Sequence, residues 1–428
     1  MRYLQFFGLA LIGCLTVTVV QAADTLDDGT RFSSTEARLS PALPAFVRTV
    51  LEDNPKLQAA RSAVDAAQAR ARGAGKPLYN PELELDAETA ESDTASLGIT
   101  QAIDWADKRG ARHGIAAFET EAARAEFEAT RQQLTTELLA ALGRYHSAEA
   151  LDRLARQRAD LMQRFLALAE RRRQAGDLNQ VELDLARLAH TQARLQQAQA
   201  SAERTDAEQA LVAVTGSSPR QDWPALPERL PEPVSFDAQK LLDALPALQV
   251  QRARIAAAQS TVTLRQREQR PDPRLGLRGG REGSDNLVGL SLSIPLYVRN
   301  DFRAETQAAN AQLIEAQQTG QDAYRRAQAS LTSAAARYRL THAAWAAWEH
   351  SGQPSLSSQL ALLERLWQAG ELSTTDYLLQ LNQTLETRAS ALELHGQLWR
   401  SWFDWLAASG QFDGWLNGSL RNFGENDK

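Results

Sequence analysis

The groups in this chain that could do chemistry are six histidines, a single cysteine and 53 carboxylates. His113, His146, His190, His342, His350 and His395 are scattered, and no two have the i,i+4 spacing that lets one helix face hold a metal. Cys14 is the only cysteine. No nucleophile–base pair and no glycine-rich phosphate loop can be picked out. The chain therefore reads as one that catalyses nothing and carries no cofactor or resident metal. Its net charge of -6 gives no electrostatic footprint for nucleic acid. The polar groups with an evident pattern lie in two short segments: Gln174-Ala175-Gly176-Asp177-Leu178 and Gln368-Ala369-Gly370-Glu371-Leu372. Glu182 and Asp376 follow them at the same spacing. Gly176 and Gly370 permit the positive φ of a sharp reversal, and they also suit helix C-caps.

These segments belong to a unit written twice. Asn80-Pro81-Glu82-Leu83-Glu84-Leu85 matches Asp272-Pro273-Arg274-Leu275-Gly276-Leu277. Gly98-Ile99-Thr100 matches Gly289-Leu290-Ser291, and Lys108 falls on Arg299. Each copy opens with a helix, over 43–74 and 241–269. A strand pair follows, then a very long helix, the turn just described, and a long returning helix. Proline lacks the N–H a helix needs, so the five prolines of 217–235 mark a linker between copies. The domains are then 1–22 a leader, 23–216 the first repeat, 236–409 the second, and 410–428 a flexible tail. The composition suits long helices, with 43% hydrophobic residues drawn mostly from Ala and Leu. From Lys108 to Gln174 the helical texture runs unbroken for a length of roughly 100 Å at 1.5 Å per residue. Leu178, Val181, Leu185, Leu188, Gln192, Leu195, Gln199 and Ala202 alternate steps of three and four, which is a heptad seam.

The strands alternate. Val288, Leu290, Leu292, Ile294 and Leu296 share one face, and Leu83 and Leu85 are interleaved with Glu82, Glu84 and Asp86. An apolar face opposed to a polar one fits a transmembrane barrel strand. The pattern alone fits equally a small antiparallel sheet covering a soluble core. If the strands span a membrane, four per chain cannot close a barrel, and open edges are not tolerated in lipid. Several copies must then share one barrel, and three copies supply twelve strands. On that reading Trp105, Lys108 and Arg109, and Tyr297 and Arg299 in the second copy, sit at the membrane interface. The basic residues also suit a solvated helix start.

The first residues, with Arg2 followed by the apolar run Phe6 to Val20 and the small-residue site Val20-Gln21-Ala22, read as a secretory signal. Leu11-Ile12-Gly13-Cys14 resembles a lipoprotein box, the alternative ending. Trp345, Trp348, Trp367, Trp399, Trp402 and Trp405 are expected to pack between helices around the middle of the long helical section.

The duplicated order, the two strand openers and the two Gln-Ala-Gly-acid-Leu turns resemble the TolC-like outer-membrane factors of Gram-negative bacteria, over nearly all of the mature chain. Gln101-Ala102-Ile103-Asp104-Trp105-Ala106-Asp107-Lys108-Arg109 is similar to the branch associated with heavy-metal cation efflux. The resemblance implies a mainly α fold with a small β part: a homotrimer with a twelve-stranded barrel in outer-membrane lipid and a periplasmic tunnel of helices. It implies a periplasmic adaptor and an inner-membrane pump, often of the resistance-nodulation-division type, as partners. It places adaptor contact and closure at the helical tips: Gln174, Gly176, Asp177 and Glu182, and Gln368, Gly370, Glu371 and Asp376. Asp376 matches an acid that lines the constriction in such proteins, where three copies would select cations. Leu372 and Leu379 replace that network's other members. A secreted coiled-coil scaffold without a channel is the competing reading.

Overall fold

The structure, a computed structural model, describes residues 40–89, 93–218 and 222–418. These all belong to one compact unit, Ala37–Lys428. The signal segment 1–22, Cys14 and residues 419–428 lie outside the described residues.

The first repeat runs α1 (Ala42–Asp53), α2 (Pro55–Ala74), β1 (Glu82–Thr89), β2 (Asp93–Ala102), α3 (Lys108–Ala175) and α4 (Gln180–Thr215). The second runs α5 (Ala238–Ala244), α6 (Pro246–Glu268), β3 (Arg274–Glu282), β4 (Asp285–Ser293), α7 (Arg303–Ala347), a π-turn (Trp348–Gly352), α8 (Gln353–Gln368) and α9 (Thr374–Ser409). A short α10 (Phe412–Leu416) ends it. The single opening helix expected in each copy is two helices. Asn54 and Leu245 precede prolines, whose rings exclude them from helical geometry, and both are extended, with ψ of 122° and 123°. Asn54 turns the break into a cap, its side chain accepting from Lys56 N–H at 2.9 Å.

The strands form one antiparallel sheet in the order β1-β2-β3-β4. Its ladders correct the repeat alignment. Glu82 pairs with Thr100 while Arg274 pairs with Ser293, so the mate of Thr100 is Ser293, two residues beyond the sequence match. The shift preserves every face because side chains alternate with period two. The mates then stand 192 residues apart in β1 and 193 from β2 through mid-helix, where buried Leu138 and Tyr145 match buried Leu331 and Tyr338. The spacing is 194 beyond the π-turn, as for Gly176 and Gly370. A π-turn holds one residue more than the α-turn it replaces, which accounts for that last step.

One part of the helical core sits at the middle of α3, and a second lies toward the Gln-Ala-Gly turns. Leu138, Leu139, Leu142 and Tyr145 pack in the first part with Leu43 and Val47 of α1, Trp223 of the linker, and Trp399, Trp402, Phe403 and Leu406 of α9. Phe412 and Trp415 join them, and Arg131 makes a two-pronged ion pair with Asp413 at 2.8 and 2.6 Å. The expected flexible tail is therefore an ordered helical clasp as far as Gly418. The aromatic rings had apolar surface to bury, which outweighed the Gly- and Asn-rich texture around them. Among the described residues no helix is long and apolar enough to cross a membrane.

Candidate functional site

The sheet separates its two faces along its middle, with polar residues such as Gln101 and Arg281 on the apolar side only near the strand ends. Residues directly opposite in a ladder share a face. One face carries Leu83, Leu85, Leu97, Ile99, Leu275, Leu277, Val288, Leu290 and Leu292. They are exposed, Leu85 by 74% and Leu290 by 87%. The other face carries Glu82, Glu84, Asp86 and Glu88 on β1, Ser96 and Thr100 on β2, Arg274 and Arg278 on β3, and Ser291 and Ser293 on β4. Thr100 Oγ1 donates to Glu84 at 2.9 Å, and Ser96 Oγ to Asp86 at 3.4 Å. Among the described residues no helix covers the apolar face, and the outer edges of β1 and β4 are unpaired. A soluble sheet would bury that face; this one is built to meet an apolar solvent.

The junction below β2 is a cap. Asp104 accepts from the N–H of Lys108 at 2.8 Å and of Arg109 at 2.7 Å. Asp107 is left-handed, φ 55°, and its carboxylate accepts from Gly110 N–H at 3.1 Å. Arg267 of α6 holds that carboxylate from the side at 2.8 Å. Trp105 is 62% exposed, Arg109 and Arg299 are exposed, and Tyr297 packs edge-on against Phe302 with centroids 4.8 Å apart. Lys108 departs from the interface role expected of it. It is 6% exposed, and its ammonium donates to Asp272 at 2.9 Å and to the Arg270 carbonyl at 2.7 Å. Tyr79 donates its hydroxyl to the same Asp272 oxygen at 2.6 Å. Burial first, and that bond second, push the Tyr79 pKa up to about 12. The lysine thus joins the first repeat to the entry of β3, because a buried carboxylate 164 residues away needs a cation.

At the other end of α3, Gly176 (φ 87°) and Gly370 (φ 78°) reverse the chain alike. Asp177 N–H bonds the Arg172 carbonyl and Glu371 N–H the Leu366 carbonyl, both at 2.9 Å, in Schellman closures. Gln174, Asp177, Gln368 and Glu371 are exposed at these tips. Glu182 and Asp376 are the third residues of the returning helices. Glu182 forms a capping box with Asn179, and Ser373 Oγ accepts from Asp376 N–H at 3.0 Å while donating to its carboxylate at 2.7 Å. The two tips touch. Arg172 lies over the Trp367 ring, 4.9 Å from its centre, and donates to the Trp367 carbonyl at 3.3 Å. Trp367 stacks on Tyr377 at 4.8 Å and meets Phe165 at 4.7 Å. Burial pushes the Tyr377 pKa up to about 12, so its hydroxyl stays neutral. Sequence reasoning assigned Trp367 to the middle and missed Arg172, Phe165 and Tyr377. The signal available was Arg171-Arg172-Arg173 immediately before the first Gln-Ala-Gly and Trp367 immediately before the second. Trp399 and Trp402 are buried in the middle as expected, with Trp345 and Trp405 packed partly buried against that core.

The heptad seam of α4 also departs from expectation. Val181, Leu188 and Leu195 are 69%, 66% and 68% exposed, and α4 packs on α3 through Leu183, Ala186, Ala193, Ala207 and Leu211 instead. Leu178, the first member of the seam, is buried within the chain at 6% exposure. No group of three or more possible metal-ligating side chains occurs among the described residues.

Residues 46–217 match the family described as outer membrane efflux protein. Over 287 residues the chain is 28% identical to the cobalt-zinc-cadmium resistance protein CzcC of Cupriavidus metallidurans, covering 63% of this chain and 67% of that one. It superposes on a membrane protein from Pseudomonas aeruginosa with TM-score 0.74 and 18% identity, over 87% of this chain and 94% of that one. The open-state MtrE outer membrane channel of Neisseria gonorrhoeae gives TM-score 0.71 and 18% identity over 96% and 99%. For CusC, studied for folding and transmembrane channel formation, the values are 0.72 and 17% over 86% and 91%.

Proposed function

We infer that this chain, which carries the outer membrane efflux protein domain and the fold of the TolC-like channels, is one third of an exit duct conducting metal cations out of a Gram-negative cell. The observation that carries the duct is the four-stranded sheet, with an exposed apolar face, a polar face and two unpaired edges. Three copies close it into twelve strands. The apolar face then meets outer-membrane lipid and the polar face lines water. The long helices continue the wall into the periplasm, and the tips receive an adaptor through Gln174, Asp177, Gln368 and Glu371. The adaptor leads to an inner-membrane pump of the resistance-nodulation-division type.

Cation cargo is supported by the metal-resistance relative and by the wall itself. Glu82, Glu84, Asp86 and Glu88 stand in one row on the polar face, and rings of carboxylates favour cations over anions. Selection among cations belongs to the pump. The test has two arms. The native chain should be extracted from outer membranes only by detergent, and as a trimer; a freely soluble periplasmic monomer would instead support the scaffold reading. A deletion strain should become sensitive to cobalt, zinc or cadmium, with recovery on complementation. Sensitivity to organic toxicants alone would overturn the cation assignment while leaving the duct.

A further inference from the structure

We propose that Arg278 sets how far the duct discriminates between cations and anions. It runs a positive file through an otherwise acidic wall, so that small anions pass alongside the metal cations. This rests on the duct reading above.

The charges of the polar face are sorted by strand. β1 carries the carboxylates Glu82, Glu84, Asp86 and Glu88, and β3 carries the guanidiniums Arg274 and Arg278. β2, between them, is uncharged on this face, and β4 is uncharged on it below Asp285. Two strand spacings of about 4.8 Å separate the acidic file from the basic one, so they lie about 10 Å apart. In a ring of three copies the order acidic, neutral, basic, neutral repeats around the bore. The separation is close to the screening length of about 8 Å at 0.15 M salt. An ion beside one file therefore feels that file more than the next.

Arg278 is built into the wall. Its row across the sheet is Glu84, Gly98, Arg278 and Gly289. A β-carbon on Gly289 would lie 2.8 Å from Arg278 Nε and 3.1 Å from its Cγ, and one on Gly98 would lie 3.3 Å from its Cβ. The side chain thus lies flat over Gly289, on the side away from β1, where a larger residue would displace it. Arg274 differs, because it reaches back to Glu82 at 3.8 Å and its charge is partly answered. Arg278 is exposed, and among the described residues no carboxylate pairs with it. Glu84 and Asp86 are tied to Thr100 and Ser96 on β2. Both signs are held against the wall, and the bore stays open to hydrated ions.

Rings of carboxylates favour cations, and rings of guanidiniums favour anions. Cations moving alone build a potential that opposes the next one. A positive file lets a small anion such as chloride move with them. The wall stays acidic overall, because Glu282 and Asp285 join Glu88 in the outermost row, so cations keep the advantage.

The test is the reversal potential of the purified trimer in planar lipid bilayers, under a potassium chloride gradient around 0.15 M. The parent should pass chloride, with potassium preferred. Arg278→Gln should raise the potassium-over-chloride permeability ratio about twofold, the factor one unit charge about 10 Å away contributes in water. Arg278→Lys keeps the charge and should stay near the parent. Arg281→Gln removes the same charge from the same strand on the opposite, apolar side, and should leave the ratio unchanged. A parent that excludes chloride overturns the proposal without any variant. So does Arg278→Gln with the parent's ratio, or Arg281→Gln moving the ratio as much. Absence of ion-conducting channels from the parent protein overturns the duct reading itself.

Discussion

Replacing Lys108 separates two accounts of the strand-to-helix junction. Its ammonium is the cation for a carboxylate that, like itself, is only 7% exposed at the side chain. Lys108→Met removes the charge and nearly preserves the volume, leaving Asp272 buried with only the Tyr79 hydroxyl against one oxygen. The other oxygen, Oδ1, has no hydrogen-bond partner even with the lysine present. Removing one member of a buried pair costs about 3–5 kcal/mol, much of it from the stranded charge. The double variant Lys108→Met/Asp272→Leu removes both charges and should recover to within about 1 kcal/mol of the parent, since an apolar pair of similar volume is often neutral or stabilising. Chemical denaturation of detergent-solubilised protein, followed by circular dichroism with the denaturant slope held constant, measures all four corners of the cycle. The reasoning is refuted if Lys108→Met matches the parent, or if the double variant is no better than the single. Either result would return the lysine to the solvated interface role that its position after a strand first suggests.

Three further outcomes follow from the geometry. Gly176→Ala and Gly370→Ala should each cost about 1–2 kcal/mol through left-handed backbone alone, because nothing lies within 4 Å of an added β-carbon at either position; thermal unfolding should show asparagine better tolerated than alanine. Trp367→Ala should cost about 3–5 kcal/mol and uncouple the two tips, which accelerated proteolysis near Gln174 and Gln368 would report. Burial chiefly holds His395 below the usual histidine pKa, with Glu349 opposing. The folded state therefore binds that proton less readily than the unfolded one. Stability from the neutral ring is complete above about pH 6.5 and is lost as pH falls through the folded pKa; melting temperatures measured down that limb should fall less in His395→Asn.

The elements that repeat were legible in the sequence, because two periodicities written twice leave little room for another reading. Alternation in Leu83-Glu84-Leu85 and in Val288 to Leu292 placed the strands and their faces. The two Gln-Ala-Gly turns placed the hairpin tips. Two misreadings have a common cause: the deciding partner was remote. Nothing near Lys108 announces Asp272, 164 residues away. The α4 heptad picks out Val181, Leu188 and Leu195, whereas α3, folded back from far along the chain, takes Leu183, Ala186 and Ala193 instead. The break at Asn54-Pro55 was readable from proline chemistry, because the residue before a proline is pushed out of helical geometry. Phe412 and Trp415 were passed over because their neighbours are small and polar.

The departures from symmetry between the repeats follow from where each return helix stands. In the single chain α9 lies between α3 and the α7–α8 helix, so it must bury two faces before any assembly occurs. Its Leu378, Leu381, Leu385 and Leu398 are buried, whereas their α4 mates Asp184, Arg187, Thr191 and Arg204 are polar. In the chain α4 packs mainly on α3 and meets α9 at a few positions, so Val181, Leu188 and Leu195 stay exposed. A stripe there as rich in leucine as α9 would promote indiscriminate association. The sequence instead spaces Val181, Leu188 and Leu195 with Gln192, Gln199 and Ala202, which keeps that stripe thin in apolar surface.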